Sequence, residues 1–423
     1  MTFKRADILL PKFSEDSEKM KQWSVVACDQ YTSEPEYWNA VSGYVGQAYS
    51  TLHLTVPEIY LNDADIEERI KKTNTAMEKY MADDVFCEHK NTYIFVERTL
   101  ANGVKRLGIV GMVDLEDYDF SASSQTKVRA TEGTVISRIP PRLKVRAEAS
   151  VELPHIMLLI DDSSCEIIEK NSDMKDAFTK VYDFDLMQSS GHIAGYKMSE
   201  AACNRLDEKL AELENLDAFN AKYGVKKDSP LIFAMGDGNH SLATAKTHYE
   251  NLKKEIGEEQ AKQSKARYAL CELVNLHDQS LEFEAIHRVI FDADGDAFLK
   301  AFEKEYAISY DENAEGQSFI LVYGGKQQKV TVTNPKEYLT VATVQKFLDS
   351  FIATCGGEVD YIHGEDVVVK LCENSKNFGI ILEAMDKSDL YKSVILDGAL
   401  PRKTFSMGEA CDKRFYTEVR KIK

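Results

Sequence analysis

One segment, from residue 231 to 256, constrains the fold most, because it predicts a strand, a glycine-containing loop and a helix in direct succession. Residues 231–235 (L-I-F-A-M) are a continuous apolar run, typical of a buried strand. The sequence G-D-G-N-H-S follows at 236–241. After it, apolar residues recur at spacings of three and four, which predicts an amphipathic helix carried by Leu242, Ala245, Tyr249, Leu252 and Ile256. The chain therefore contains a buried strand that leads into the N-terminus of a helix.

A loop in this position favours anions. Gly236 and Gly238 allow the backbone to approach a ligand closely. The first N–H groups of a helix have no partner within the helix, and the helix dipole adds partial positive charge there. The side chains that follow fit a phosphate: Asn239, His240 and Ser241 can form hydrogen bonds with it, and Asp237 can hold a cation. A purely structural role, in which Asp237, Asn239 or Ser241 caps the helix, fits the same pattern.

Hairpin and helix signals alternate in the rest of the chain. Asn102-Gly103 and Gly324-Gly325 each lie between β-prone runs and predict two hairpins. Helices are predicted between them near residues 66–80, 206–213 and 341–352, and residues 183–197 are predicted to be a loop. Hairpins mixed with helices predict an α+β fold with a mixed sheet, and not a regular βαβ series. We expect a main domain at residues 1–295, which carries the strand–loop–helix unit, and a C-terminal α+β region at 296–423.

Composition excludes some classes of function. Lys and Arg number 52 and Asp and Glu number 70, so the net charge of −18 argues against a nucleic-acid partner. No apolar run approaches the roughly 20 residues of a membrane helix, so no membrane partner is expected. Eight cysteines without a C-x-x-C pair predict a reduced, cytoplasmic protein. The 236–241 loop matches neither the Walker P-loop nor the dinucleotide fingerprint G-x-G-x-x-G. The oligomeric state is left open.

Five motifs, in order along the chain, resemble those of the domain-of-unknown-function 1015 family. Residues 235–241 resemble its I-A-D-G-H-H-R-Y motif, and residues 50–59 (S-T-L-H-L-T-V-P-E-I) resemble its S-F-L-H-V-x-R-P-E-I segment. The other three are T-E-G-T at 131–134, I-H-R-V at 286–289 and L-P-R-K-T-F-S at 400–406, similar to H-E-x-T, P-T-H-R-V and M-P-x-K-S-T-Y-F-x-P. The resemblance therefore extends over nearly the whole chain.

The resemblance implies a function in phosphate chemistry. The family's D-G-H-H-R loop is similar to the D-G-H-T-R loop of archaeal free serine kinases, in the ParB/sulfiredoxin superfamily, where the loop lies at a helix N-terminus and holds nucleotide phosphates. This implies a ParB/sulfiredoxin-like element around residues 231–256. It also implies a small-molecule phosphotransferase that uses ADP or ATP, with Mg²⁺, on a hydroxylated metabolite, free serine being the best-known acceptor.

The motifs assign candidate roles to individual residues. Catalysis is assigned to Glu58, as general base for an acceptor hydroxyl, together with His240 and Asp237, and Asp237 is also the candidate metal ligand. Phosphate or nucleotide binding is assigned to Gly236, Gly238, Asn239, Ser241 and Arg288. Further pocket residues are His53, Glu132, Arg138, His287, Lys403 and Thr404. Each also has a structural alternative: a core histidine for His53, and a solvated charged face for Glu132 and Arg138.

Two departures from the family loop keep a second function open. Asn239 stands where the family has its first His, and Ser241 stands where it has Arg. A hydroxyl does not replace the fixed, forked charge of a guanidinium on a phosphate. The alternative function is therefore a regulatory protein that binds a nucleotide or phospho-metabolite without turnover.

Overall fold

The computed structural model describes residues 1–153 and 155–423 and divides into two compact units. Unit 1 comprises residues Met1–Ala130, Thr134–Leu281 and Gly408–Lys423. Unit 2 comprises Thr131–Gly133 and Glu282–Met407. Unit 2 is thus inserted, in sequence, between two parts of unit 1.

The strands and helices are numbered in chain order. The strands are β1 Phe3–Lys4, β2 Ala6–Pro11, β3 Phe86–Thr92, β4 Ile94–Thr99, β5 Lys105–Asp114, β6 Tyr118–Asp119, β7 Val128–Arg129, β8 Val151–Glu152, β9 Met157–Ile160, β10 Thr179–Asp185, β11 His192–Lys197, β12 Phe233–Asp237, β13 Tyr268–Asn275, β14 Phe283–Ala285, β15 His287–Phe291, β16 Ile308–Ser309, β17 Gln317–Tyr323, β18 Lys326–Val332, β19 Glu358–Ile362, β20 Phe378–Ile381, β21 Phe405–Met407 and β22 Arg420–Lys421.

The α-helices are α1 Ser17–Trp23, α2 Pro35–Val45, α3 Ile66–Ala82, α4 Ile139–Ala147, α5 Glu200–Glu212, α6 Leu216–Tyr223, α7 Asn239–Ile256, α8 Glu258–Gln263, α9 Gly295–Glu305, α10 Thr340–Cys355, α11 Glu365–Leu371 and α12 Asp389–Leu396. Short 3₁₀ helices span Thr51–Leu54, Glu58–Tyr60, Leu115–Asp117, Ile136–Arg138, Glu169–Ala177, Lys265–Arg267 and Ala410–Asp412. Within the described residues, no helix combines the length and apolarity needed to cross a lipid bilayer.

Unit 1 is built on a large mixed sheet in the order β10-β11-β4-β5-β13-β9-β12-β7-β6, with β1 also paired to β5. Most pairs are antiparallel, but three are parallel: β13 with β9, β12 with β7, and β6 with β7. Neighbouring side chains at the start of β4 enter different apolar cores. Ile94 and Val96 enter one of them, and Phe95 enters the other together with Tyr93, which directly precedes the strand. Because successive strand residues point to opposite faces, both faces of this sheet are buried. The predicted α+β class with a mixed sheet is confirmed.

Unit 2 has a six-stranded sheet in the order β16-β18-β17-β20-β15-β19 and a separate two-stranded ladder of β14 and β21. Helix α11 packs on β20 and β15 of this sheet, and Phe298 of α9 lies among a group of aromatic rings that includes Phe302, Phe347 and Phe378. The division of the chain differs from the one expected after residue 295. Unit 2 begins before residue 295, because strand β15 pairs with strands of unit 2. Residues 408–423 return to unit 1, where Val419 pairs with Leu9.

Local predictions are confirmed where a turn sequence or a helical repeat carried them. Asn102-Gly103 joins the antiparallel strands β4 and β5, and Gly324-Gly325 joins β17 and β18. The three predicted helices correspond to α3, α5 and α10. The loop expected at residues 183–197 is wrong for most of its length, because β10 and β11 form a hairpin there. Strand β11 also pairs with β4, so it has a hydrogen-bonded neighbour on both sides.

Candidate functional site

The junction between β12 and α7 is the centre of the site. β12 ends at Asp237, α7 begins at Asn239, and Gly238 alone connects them. Asn239, His240 and Ser241 therefore occupy the first helical turn and not a preceding loop as predicted. No side chain caps the helix at Gly238. The N–H of Ser241 donates to the carbonyl of Gly238 at 3.0 Å, so the amide groups of Asn239 and His240 are the ones that an anion could contact at this helix N-terminus.

The two glycines are required for different reasons. Gly238 has φ +80°, a left-handed conformation, and a Cβ at this position would lie 3.0 Å from the Cα of Ile156. Gly236 has ordinary backbone angles, but its Cβ would lie 2.9 Å from Cγ of Leu159 on the neighbouring strand β9. Close packing against the segment 155–159 thus fixes the position of the junction.

Ser241 is held by a histidine that the sequence analysis did not single out. Its Oγ lies 2.7 Å from Nε2 of His155. The other ring nitrogen of His155, Nδ1, lies 2.7 Å from Oη of Tyr416, which also accepts a hydrogen bond from the backbone N–H of Cys28. His155 and Tyr416 are buried. The replacement of the family Arg by Ser241 therefore puts a hydroxyl–imidazole–phenol chain at this position.

Glu58, the candidate base, forms a largely buried ion pair with Arg142 of α4. The Nε of Arg142 donates to Oε1 of Glu58 at 2.7 Å, and its Nη2 contacts the same oxygen. The two side chains are 14% and 13% exposed. Burial raises the pKa of Glu58, the charge of Asp29 adds to that, and Arg142 opposes it, with a net rise. Both contacts of Arg142 are to Oε1, and neither involves Oε2.

His240 is neutral at pH 7. Burial, together with the nearby charges of Arg142 and Arg138, lowers its pKa to about 4, although the charge of Asp29 opposes this shift. Its Nε2 accepts a weak hydrogen bond from the N–H of Val135 at 3.4 Å, so the ring proton is placed on Nδ1. Arg142 therefore connects the predicted residues: it is bonded to Glu58, and its charge acts on His240.

Acidic and basic side chains alternate around the junction. Oδ1 of Asp237 accepts from the N–H of Gly238 at 2.9 Å, and its Oδ2 lies 3.4 Å from Nζ of Lys413. The pKa of Asp29 is lowered overall. Burial alone would raise it, but this effect is outweighed by His155, whose Nε2 lies 3.8 Å from Oδ2 of Asp29, and by Gln30 and Lys413. Three carboxylates (Asp29, Glu58, Asp237) thus face three cations (Arg138, Arg142, Lys413), and the helix N-terminus provides the remaining positive potential.

A cavity of about 140 Å³ lies beside this group and has Glu58, Arg142, His155, Ser241 and Tyr416 in its wall. His53, predicted as a further pocket residue, lies instead in the wall of a different cavity, and its Nδ1 is 2.9 Å from Oη of Tyr80. Arg138 is exposed, and its carbonyl accepts a hydrogen bond from Arg142. The structure thus brings Glu58, Arg138 and the 236–241 segment together, but not His53.

The other predicted residues cluster within unit 2. Arg288 is fully buried: its Nε donates to Oε1 of Gln345 at 3.0 Å, its Nη2 to the carbonyl of Lys403 at 3.0 Å, and its Nη1 to the carbonyl of Ile286. Burial lowers its pKa to about 10. A guanidinium used in this way holds the 401–404 turn in place, so we no longer assign phosphate binding to it.

The neighbours of Arg288 also have structural partners. Burial raises the pKa of Glu132, although Lys403 and the backbone N–H groups of Thr404 and Lys403 oppose this rise. The hydroxyl of Thr404 donates to the carbonyl of Pro401 at 2.7 Å. His287 is buried, and its Nδ1 accepts from the N–H of Leu382 at 3.2 Å. Contact of Glu132, His287, Lys403 and Thr404 with a ligand stays a prediction.

Sequence reasoning missed Asp29, His155, Lys413 and Tyr416. One signal was present: His155 is a polar residue directly before the apolar run 156–160, most of which forms β9. The others carry no local pattern, since Lys413 and Tyr416 lie in an irregular segment far along the chain.

Comparison with known proteins adds a family to this geometry. Residues 11–351 match the model of the family described as "Protein of unknown function (DUF1015)", which confirms the predicted resemblance. No curated protein matches the chain.

Solved structures are similar at low identity. A free serine kinase in complex with AMP is 10% identical, with a TM-score of 0.39, covering 74% of this chain and 91% of that one. A conserved hypothetical protein from Pyrococcus furiosus is 11% identical, with a TM-score of 0.36, covering 74% and 94%. SbnI with a C-terminal truncation, from Staphylococcus aureus, is 7% identical, with a TM-score of 0.37, covering 71% and 82%.

Proposed function

We propose that this chain, which belongs to the DUF1015 family, binds the phosphates of ADP or ATP at the N-terminus of α7 and transfers a phosphoryl group to a small hydroxylated metabolite. Free serine is among the acceptors to be tested. We further propose that β12, Gly238 and α7 form a ParB/sulfiredoxin-like element. The observation that carries the proposal is the link made by Arg142, which is bonded to Glu58 and acts on His240 in the first turn of the helix.

Phosphoryl transfer needs charge neutralisation on the phosphate and an oriented acceptor hydroxyl. The amides of Asn239 and His240 at the start of α7, with Arg138, Arg142 and Lys413 nearby, contribute part of the first requirement. Glu58 supplies the second. Its Oε2 accepts the proton of the acceptor hydroxyl as the new O–P bond forms and the bond to the leaving nucleotide phosphate breaks. The raised pKa of Glu58 makes it a better base than an ordinary carboxylate near neutral pH.

Mg²⁺ fits the charge balance at the junction. Three carboxylates already offset the three cationic side chains, so the phosphates of a nucleotide require an additional cation. Mg²⁺ is usually held by one or two carboxylates together with substrate phosphates. Asp237 and Asp29 are the residues that would provide them. Across residues 1–153 and 155–423, no three His, Cys, Asp or Glu side chains form a preassembled metal site. When bound, the ion would neutralise charge on the transferred group.

One observation favours the alternative, a regulatory protein that binds the ligand without turnover. Arg142 holds Glu58, and His155 holds Ser241, so two groups in the cavity wall that could carry chemistry are already paired. A paired carboxylate can still bind a hydroxyl but accepts a proton less readily. The two functions therefore differ in what Glu58 does and not in where the phosphates bind.

Ligand binding is tested by thermal unfolding with ADP, ATP, AMP, phosphoserine and pyrophosphate, each with and without Mg²⁺. A ligand at 100 times its dissociation constant adds about 2.7 kcal/mol of stability. We expect ADP or ATP with Mg²⁺ to raise the Tm and His240→Ala to remove that rise. The absence of any rise, in a well-folded sample, would refute both the kinase and the regulatory function.

Turnover is tested with Glu58→Gln. As a control, Glu67→Gln removes a carboxylate from an exposed ion pair with Lys144, also on α4. For an enzyme, we expect Glu58→Gln to reduce the rate of nucleotide consumption at least 100-fold while the nucleotide-dependent Tm shift persists, and Glu67→Gln to change neither. Nucleotide binding by the unmodified protein without any acceptor-dependent consumption would favour the regulatory function.

A further inference from the structure

The cavity next to Glu58 has a definite size. Its volume of about 140 Å³ is close to that of engineered protein cavities of about 150 Å³ that take up benzene. It therefore has room for an apolar body of roughly six carbon atoms. This space lies behind the residues assigned to phosphoryl transfer, since the same wall contains Glu58 and Ser241.

The wall of the cavity is mostly apolar. It is contributed by the segment before Glu58, by α3, α4 and β13, and by the segment that leads into β9; the side chains are Leu54, Val56, Met77, Val145, Ile156 and Leu270. Most of these residues are buried. A hydroxylated compound that fills the space thus transfers its carbon skeleton from water to hydrocarbon surroundings, which is favourable in proportion to the area buried.

The charged groups in the wall are largely paired with one another, although the Nε of Arg146 is buried without a hydrogen-bond partner. Arg142 pairs with Glu58, and Arg146, one turn later on α4, pairs with Glu152 at 2.6 Å. Glu152 also accepts hydrogen bonds from Arg420 at 2.7 Å and from the N–H of Leu270 at 2.8 Å. Apart from the Nε of Arg146, these groups are engaged with one another, so burying both the ammonium and the carboxylate of a free amino acid here would carry a large cost in solvation.

We infer that the acceptor is an alcohol or phenol whose apolar body of about six carbons occupies this cavity, with its hydroxyl directed to Oε2 of Glu58. This rests on the proposed function. Free serine has a single methylene group beside its hydroxyl, so it leaves the cavity unfilled and brings two charges with it. The structure thus assigns to this chain an acceptor that is larger and less polar than serine.

The test compares benzyl alcohol, 3-methylbutan-1-ol and L-serine by calorimetric titration of the full chain, in the presence of ADP and Mg²⁺. Val145→Phe fills the cavity, and Val104→Phe makes the same change at an exposed turn of unit 1, where the side chain is 37% exposed. We expect benzyl alcohol to bind at least tenfold more tightly than serine, Val145→Phe to weaken it at least tenfold, and Val104→Phe to leave it unchanged. If Val145→Phe does not fold, Ala149→Val narrows the same cavity.

The outcomes separate this inference from the function on which it rests. A nucleotide-dependent Tm shift that survives in Val145→Phe, together with loss of alcohol binding, supports both. The same shift with serine binding as tightly as benzyl alcohol, or with alcohol binding unaffected by Val145→Phe, overturns the acceptor class and leaves the nucleotide site standing. Alcohol binding in a protein that no nucleotide stabilises overturns the proposed function and, with it, the assignment of the alcohol as an acceptor.

Discussion

Replacement of Arg142 by Met leaves the carboxylate of Glu58 buried without its partner. Removing one partner of a buried ion pair costs about 3–5 kcal/mol. Because the two side chains retain 13% and 14% exposure, we take the lower end of that range, about 3 kcal/mol. At roughly 2 °C per kcal/mol for a chain of this size, Arg142→Met should lower the Tm by about 6 °C at pH 8.

The assay is thermal unfolding of four proteins at pH 5 and pH 8: the unmodified chain, Arg142→Met, Glu58→Gln and the double variant. Without Arg142, the pKa of Glu58 rises further, since Arg142 opposes the effect of burial. The carboxyl is then protonated to a greater extent at pH 5 than at pH 8, which removes part of the buried charge. The loss of stability caused by Arg142→Met should therefore be smaller at pH 5 than at pH 8. The double variant should recover part of it, because Gln at position 58 carries no charge.

Two results would refute this reasoning. An equal loss of stability at pH 5 and pH 8 would mean that an unpaired Glu58 carboxylate is not the cause. Losses in the two single variants that simply add in the double variant would mean that the side chains do not interact. In either case Arg142 would not be the link between Glu58 and the first turn of α7.

Two further predictions concern α7. Gly238→Ala should lower the free energy of unfolding by about 1–2 kcal/mol, because the backbone of Gly238 is left-handed. It should also weaken the nucleotide-dependent Tm shift, because the new Cβ would lie 3.0 Å from the Cα of Ile156. As a control, Gly224 is also left-handed, at φ +66°, but a Cβ there would have no atom within 4 Å, so Gly224→Ala should reduce stability without changing that shift. His240 has a folded pKa of about 4 against an ordinary 6.5, so the folded state disfavours its protonation and stability falls as the pH drops from 6.5 towards 4. His240→Gln should reduce this acid sensitivity by at most about 3 kcal/mol, measured by urea unfolding at pH 7 and pH 4.5.

Much of the fold could be predicted because its signals are local. Asn102-Gly103 and Gly324-Gly325 specify tight turns between strands, and the three- and four-residue spacing after Leu242 specifies α7. The start of that helix could not be placed correctly. Asn and Ser are favoured as caps, so the pattern predicted a loop through Ser241, whereas Gly238 makes the turn alone.

Pairing with distant residues explains the other differences. His155 has its partners Ser241 and Tyr416 at separations of 86 and 261 residues, and no periodicity records such contacts. Arg288 is held by Gln345 and Lys403 at separations of 57 and 115 residues, so a guanidinium assigned to phosphate serves instead inside unit 2. A motif indicates which residue types occur together, but burial decides which of them remain open to a ligand.

The ladder of β14 and β21 has a consequence for how the chain folds during synthesis. It pairs Phe283 with Met407, so the polypeptide enters and leaves unit 2 at adjacent points. Residues 408–423 emerge from the ribosome after unit 2, yet Trp23 of unit 1 donates to the carbonyl of Thr417 across 394 positions. Once unit 2 has folded, its first and last strands are held side by side, so the chain between Trp23 and Thr417 behaves as a shorter loop. A shorter loop lowers the entropic cost of that late contact. The inserted unit thus shortens the search by which Tyr416 reaches His155, and this part of the site can assemble only after unit 2 has been synthesised.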